Sequence, residues 1–413
     1  MLFPPDNRAS EPRRVAVTGG GLLTALGSSW DANAAGFREG RAGFREVRGF
    51  DVSRQRVKVA AELDLPEEMP ESRLSIREAR RADRGSRMLL WTGKECLSGA
   101  AWETPQRTAV VLGTTSGGMT VGEDYYRRAI GVDRVTKGQA AKVVHYQARR
   151  QASLLQKAFG LEGPAFVVAN ACASGANAVG LAWELVRSGR VDRAVCGGYD
   201  ALCQLVFAGF DSLQALSPTM CRPFDRERDG LALGEGAAVF ALEPLAEARE
   251  RGARILGEIR GYAAATDVHH LTQPHPEGVA ALETMRRACE VAGLTPSEIQ
   301  YVNAHGTGTP LNDASEAAAI NAWAGEDAGG IAVSSTKASV GHLLGAAGAV
   351  ETAVCLMALE GGWLPPTRSC RTPDPACGFR VVTEPESAPL ENVMSNSFGF
   401  GGANASLVLG RAS

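Results

Sequence analysis

The chain has 413 residues, of which 45% are hydrophobic, 22% charged and 6% aromatic; this globular composition excludes disorder over most of its length. Forty-three Lys and Arg against 46 Asp and Glu leave a formal charge of −3, so no basic excess speaks for a nucleic-acid binder. The 48 glycines, about 12% against an average near 7%, point to elements packed closely through small side chains.

The opening residues, MLFPPDNRASEPRR, carry no apolar core, so no secretory leader is expected there. Apolar runs then predict strands at 15–20, 109–115, 165–170, 193–198 and 237–243, with a helix at about 174–189 and a basic, polar stretch near 125–150. The segment EPLAEARERGAR breaks the pattern and sets a boundary near 255, giving an N-terminal part, 1–255, and a C-terminal part, 256–413. Beyond it, strands are predicted at 255–263, 301–306, 331–336, 392–400 and 405–410, and helices at 279–293, 313–324 and 343–360. Strands alternating with helices argue for layered α/β with a largely buried sheet. No internal repeat is evident. No apolar run approaches the roughly 18 residues of a membrane helix, so no membrane partner is expected.

The nine cysteines are odd in number and none has CxxC spacing. A zinc site or a disulfide framework is therefore not expected, and reduced thiols in a cytoplasmic setting fit better. Most should be small buried hydrophobes. Cys172 stands apart. In AFVVANACASGANAVGLAWELVRSGR an apolar strand ends at Asn170, Cys172 follows among Ala171, Ala173, Ser174 and Gly175, and a helix then begins. The unpaired N–H groups and the dipole of that helix start favour a thiolate, which makes Cys172 a candidate nucleophile.

Two histidines lie in loops of similar character. VNAHGTGTPLND puts His305 after a strand, and STKASVGHLLGAAGAVE puts His342 at a helix start, five residues after Lys337. The final block, NSFGFGGANASLVLG, reads as strand, glycine-rich turn and strand, and its backbone N–H groups can serve an oxyanion. TGGGLLTALG and GTTSGG lack the lysine and spacing of a phosphate loop.

Taken together and in this order, VAVTGGGLLTALG, ACASG, RPFDRERDGLALGEGAAVFALE, HGTGT, KASVGHLLGAAG and NSFGFGG resemble the β-ketoacyl-acyl-carrier-protein synthases, of the synthase II type and the related type II polyketide ketosynthases. The resemblance implies an α/β, thiolase-like fold of two similar βαβαβαββ halves in a five-layer α-β-α-β-α sandwich. It implies a decarboxylative Claisen condensation in fatty-acid or polyketide biosynthesis, in which malonyl-acyl-carrier protein adds to an acyl group held on Cys172. His305, His342 and Lys337 match the other catalytic positions, with Glu351 as the acid beside Lys337. The backbone N–H groups of Cys172 and Phe400 match an oxyanion hole. Phe398 and Phe400 match a gating loop, and Thr307 and Thr309 match contacts to the pantetheine arm. No redox cofactor or catalytic metal is implied, since phosphopantetheine belongs to the carrier protein. Some relatives hold a structural monovalent cation near Asn303, Glu351 and Asn396. The expected partners are acyl-carrier protein and a second subunit, as homodimer or heterodimer.

Carrier proteins are acidic, so a basic docking patch is expected. Arg73, Arg77, Arg80 and Arg81, with Arg84 and Arg87, form one cluster, and Arg127 and Arg128, with Arg149 and Arg150, a second. The stretch 135–159, which lines the dimer interface and acyl pocket in the family, is here polar and basic. HHLTQPHPEG, at 269–278, carries three histidines where the family more often has a Tyr-His and a Pro-Asp, and reads as a surface loop. These departures favour a specialised pathway. Two alternatives are a chain-length-factor-like partner subunit, which keeps the fold but lacks the cysteine, and a thiolase-like acyltransferase. The presence of Cys172, His305, His342 and Lys337 argues against the first, and the two histidines against the second.

Overall fold

In the computed structural model, which describes residues 12–103, 107–130 and 144–412, the apolar runs become strands of one eleven-stranded mixed sheet. The N-terminal part supplies β1 (Val15–Leu23), β2 (Thr108–Gly113), β3 (Ala165–Val168), β4 (Arg193–Asp200) and β5 (Gly236–Pro244). The C-terminal part supplies β6 (Gly257–Thr266), β7 (Tyr301–Asn303), β8 (Ala332–Ser334), β9 (Arg380–Val381), β10 (Asn392–Phe398) and β11 (Ala403–Gly410). The order across the sheet is β9-β8-β7-β10-β11-β6-β1-β5-β4-β2-β3.

That order contains a duplication. Outward from the antiparallel β1–β6 junction, each part runs first, fifth, fourth, second, third strand, with β9 added at one edge. In each, the second, third and fourth strands pair in parallel, and the fifth is antiparallel to its two neighbours. The sequence shows no repeat because buried strands accept many apolar residues at the same place. Strand β5, for instance, is buried at every position, as a strand covered on both faces must be, and reads as a continuous apolar run.

Helices fill three layers. On one outer face α1 (Arg84–Ala100) covers β1 and β5, and α2 (Arg149–Phe159) packs on α1 and β3. In the middle, α3 (Ser174–Arg187) lies on β2 and β4 and touches β11, while α8 (Ala347–Gly361) lies on β10 and touches β4 and β5. On the other outer face α5 (Val279–Ala292) covers β6 and β11, with α6 (Pro310–Ala324) beside it. Two short helices, α4 (Gln204–Ser212) and α7 (Lys337–Val340), stand near the sheet ends. The result is the five-layer α-β-α-β-α sandwich.

The middle layer explains much of the glycine excess. Helices α3 and α8 are pressed between the two halves of the sheet, and a Cβ on Gly348 would lie 2.7 Å from the backbone nitrogen of Ala176 and 2.8 Å from its Cβ. Any larger residue there forces the helices apart. The same packing corrects the expectation about apolar runs. Leu344–Gly361 is an 18-residue stretch with a mean hydropathy of 1.4, long and apolar enough to cross a membrane, but 89% of it is buried inside the protein, with Glu360 and Gly361 at its exposed end. The predicted helix at 343–360 is also broken. A short 3-10 turn, Leu344–Ala346, precedes α8, with Leu344 in the left-handed region at φ 53°.

Candidate active site

Strand β3 ends at Val168 and α3 begins at Ser174, and the residues between them carry Cys172. Ala171 takes φ 56°, a conformation that costs a non-glycine residue about 1–2 kcal/mol. Local hydrogen bonds hold it there. Ser174 Oγ donates to the Ala171 carbonyl at 2.6 Å, Thr115 Oγ1 donates to the same carbonyl at 3.1 Å, and the Asn170 N–H donates to Ser174 Oγ at 2.9 Å. The turn aims Cys172, only 7% exposed, into a cavity.

The expectation of a thiolate is corrected. Burial pushes the Cys172 thiol up to about 12, while Lys337 and a hydrogen bond from the Phe400 backbone N–H pull the other way. Loss of water outweighs the helix start, so the resting group is a thiol.

Two buried imidazoles face the same cavity, with ring centroids 5.2 Å apart and planes at 84°. Burial, then Lys337 and, for His305, also His342, push both well below the ordinary histidine range, so both rings are neutral. His305 follows β7. Its backbone N–H and that of Gly306 donate to the two oxygens of Glu316, at 2.8 and 2.7 Å. His342 does not begin a helix, as the sequence suggests. It sits in the extended link after α7, where its N–H donates to the Ala232 carbonyl and its carbonyl accepts from Gly234.

Lys337 is fully buried at the start of α7. Its ammonium donates to Glu351 on α8, to the His305 carbonyl and, at 3.3 Å, to His305 Nδ1. An ammonium can only donate, so Nδ1 accepts and the ring proton of His305 resides on Nε2. Glu351 is pushed up by burial and drawn back by Lys337. The other Glu351 oxygen and both side-chain polar atoms of Asn303 are buried without a protein partner.

The remaining expected residues complete the walls. Thr307 and Thr309 line the cavity, with their hydroxyls 2.8 Å apart. Phe398 lies 5.9 Å from the His305 ring, and Phe400 stacks on Phe210 of α4 at 5.9 Å and 19°. The cavity holds about 420 Å³. Its outer wall includes His270 and Leu271 of the three-histidine loop, and Leu271 accepts a hydrogen bond from the Gly401 N–H.

None of the expected docking arginines lines this cavity. Arg84 pairs with buried Glu235, Arg87 donates to the Pro66 carbonyl, and Arg127 pairs with Glu123 and Asp124, so these hold the local structure. Arg73, Arg80 and Arg128 are exposed. Arg77 and Arg81 line a separate cavity with Arg150 and His145. Of the unusual stretch 135–159, residues 135–143 lie outside the described residues.

Three buried acids were not singled out from the sequence. Asp200, at the end of β4, accepts from the backbone of Thr115, Ser116 and Gly345 and from the hydroxyls of Thr114 and Ser116. It thereby fixes two loops beside the Cys172 turn. Asp313 accepts from the N–H groups of Phe224, Thr307 and Gly308, and Glu316 from those of His305 and Gly306. Burial pushes Glu316 up to about 7. The signal for the last two is their spacing, three residues apart just after the HGTGT loop, where their carboxylates reach back to its unpaired N–H groups.

Comparison with known proteins gives a consistent result. Residues 12–248 match the family model for the β-ketoacyl synthase N-terminal domain, and residues 256–371 that for the C-terminal domain. The 3-oxoacyl-[acyl-carrier-protein] synthase 2 of Synechocystis sp. is 37% identical over 410 residues, covering 96% of this chain and 98% of the relative. That of Staphylococcus aureus strain COL is 35% identical over 412 residues, covering 97% and 98%. Among solved structures, the ishigamide ketosynthase/chain length factor superimposes with a TM-score of 0.91 at 33% identity, over 97% of this chain and 100% of that one. A type II PKS acyl-carrier protein in complex with its ketosynthase, bound to the hexaketide, gives 0.89 at 26% identity, with the same coverage.

Proposed function

The chain belongs to the β-ketoacyl synthase family, and from that premise we propose that it is a condensing enzyme that joins an acyl group to malonyl-acyl-carrier protein. The observation that carries this reading is the convergence of Cys172 and two neutral imidazoles on one cavity, with the buried Lys337–Glu351 pair set against His305.

In the first half-reaction the Cys172 sulfur attacks the thioester carbonyl of an acyl-carrier protein. The new C–S bond forms as the carrier's breaks, and the carrier thiol leaves with the proton. The developing oxyanion sits between the N–H groups of Cys172 and Phe400. In the second, the C–C bond to the malonyl carboxylate breaks and CO₂ departs. The electron pair passes into an enolate whose oxygen accepts from the imidazole N–H groups of His305 and His342. Neutral donors suit this step, because they stabilise negative charge without first giving up a proton. The enolate carbon attacks the Cys172 thioester, the sulfur leaves as a thiolate that takes a proton from water to return to the resting thiol, and a β-ketoacyl-carrier protein results.

Lys337 positions His305 by holding its Nδ1, and Glu351 neutralises Lys337 in a dry site where a lone charge is costly. Phe398 and Phe400 gate the cavity, and Thr307 and Thr309 hold the pantetheine arm. This chemistry calls for no cofactor on the chain itself. The unpartnered oxygens of Asn303 and Glu351 fit a structural monovalent cation, which takes hard oxygen donors. The two units are residues 1–255 and 256–413, and the enzyme works in the cytoplasm as a dimer. Support for the dimer is the edge position of β3, which leads straight into the Cys172 turn.

The test is to supply acyl- and malonyl-carrier protein and follow the 3-oxoacyl product by mass. The wild type forms it and Cys172→Ala does not. A Cys172→Ala variant that still condenses removes the nucleophile assignment, and a wild type that forms no product favours the partner-subunit reading.

A further inference from the structure

Helix α4 stands beside the Cys172 cavity on few supports. Of its 9 residues only Phe207 and Asp211 are buried. Phe207 meets Phe50 edge-on, with ring centroids 5.6 Å apart, and Asp211 accepts from the Arg56 N–H at 2.8 Å. Between them, Phe210 faces the cavity and stacks on Phe400. Phe400 needs that support. It carries the one side chain between β10 and β11, because residues 399, 401 and 402 are glycines. Gly401 and Gly402 take φ 77° and 78°, a region glycine enters freely. The loop also comes close to the nucleophile, since a Cβ on Gly399 would lie 3.0 Å from the Cys172 nitrogen. The stacked ring thus sets where the Phe400 N–H stands beside the sulfur.

The start of α4 is held from outside the helix. The leading N–H groups of a helix have no partner within it. The residue before α4 is Cys203, in extended backbone, and a thiol is a weak acceptor. Glu123, on the helix Met119–Ile130, supplies stronger ones. Its two oxygens accept from the N–H groups of Leu205 and Gln204, at 2.5 and 3.3 Å. Arg127 steadies the carboxylate at 3.1 Å and donates to Gln204 Oε1 at 2.8 Å. Negative charge at this end also suits the helix dipole.

Resting on the condensing function above, we propose that Glu123 is a positioning residue for acylation: by capping α4 it keeps Phe210 against Phe400, and so keeps the Phe400 N–H in the oxyanion hole. Glu123 does not line the cavity, so it acts on the reaction through α4 alone. The two half-reactions separate this role from a general loss of structure. Acylation uses the Phe400 N–H, whereas CO₂ release uses the imidazoles of His305 and His342.

The experiment measures two rates in the full-length enzyme. One is acyl transfer to Cys172 from an acyl-carrier protein. The other is CO₂ release from malonyl-carrier protein by enzyme already fully acylated, as checked by intact mass. Glu123→Ala lowers the acylation rate at saturating donor about tenfold, part of the roughly 10²-fold or more that losing an oxyanion donor costs, while KM and CO₂ release stay within about threefold of the wild type. Phe210→Ala slows acylation in the same way. Cys203→Ser, added to the Glu123→Ala chain, places a hydroxyl acceptor at the N-cap and recovers most of the lost rate. Wild-type acylation in Glu123→Ala or in Phe210→Ala overturns the proposal. So does an equal fall in both rates, which would make Glu123 a structural residue only, and so does a loss that Cys203→Ser leaves untouched, since the effect would not pass through the cap. A wild type that takes no acyl group would instead refute the condensing function.

Discussion

Cys172 shows how a local signal and its surroundings compete. A helix start lowers a thiol pKa, but burial raises this one to about 12, far above an ordinary cysteine. Alkylation of Cys172 in the resting enzyme should therefore climb about tenfold per pH unit from pH 7 to 10 without levelling off, as followed by peptide mass. A plateau below pH 8 would contradict the burial argument. The imidazoles give the opposite dependence. Their folded pKa values lie well below 6.5, so below that pH the unfolded chain binds protons that the folded chain refuses. Stability should fall as pH drops through 6.5, with a slope approaching two protons, and His342→Asn should reduce that slope. Thermal melts from pH 5 to 8 measure it. Removing one member of the buried pair, as in Glu351→Ala, leaves an uncompensated ammonium, and chemical denaturation should show a loss of roughly 3–5 kcal/mol.

At the level of elements, the proposed catalytic groups are set by the loops between strands and helices, and those loops are pinned by carboxylates. Asp200 joins the 114–116 loop to Gly345, although these are far apart in the chain. Asp200→Asn turns one of its two accepting oxygens into a donor that faces the same N–H groups. It should cost about 1–3 kcal/mol and depress turnover by more than it changes KM, which steady-state kinetics would show. Gly402 has φ 78°, and a Cβ there would lie 1.8 Å from the Asp267 carbonyl. Gly402→Ala should displace the turn between β10 and β11 and, on the proposed gating role, slow acylation. The sequence located strands to within a few residues because their apolar runs are continuous. It put His342 at a helix start because nothing in KASVGHLLGAAG reveals the break at Gly341, where φ is 70°. It missed Asp200, whose partners are distant in sequence, and it also missed Asp313 and Glu316, although these lie within reach of the loop they hold.

The whole molecule is a single unit made of two topologically equal parts. The middle helices of each touch the other's strands, and the site draws Cys172 from one part and His305, Lys337 and His342 from the other. The catalytic motifs were legible because they are local in the chain. The duplication was not, since it resides in strand order and not in residue identity. A dimer in solution should give a mass of twice 43.4 kDa by light scattering, and charged residues placed on β3 should shift it toward the monomer.

The central claim is that the two parts divide the chemistry, with Cys172 carrying the acyl group and the histidine pair driving decarboxylation. Its most direct test is to record acyl transfer to Cys172 and CO₂ release from malonyl-carrier protein in the wild type and in His305→Ala and His342→Ala. The account predicts that both variants still take the acyl group on Cys172 but lose CO₂ release by about 10²-fold or more. Variants that release CO₂ at the wild-type rate would contradict it.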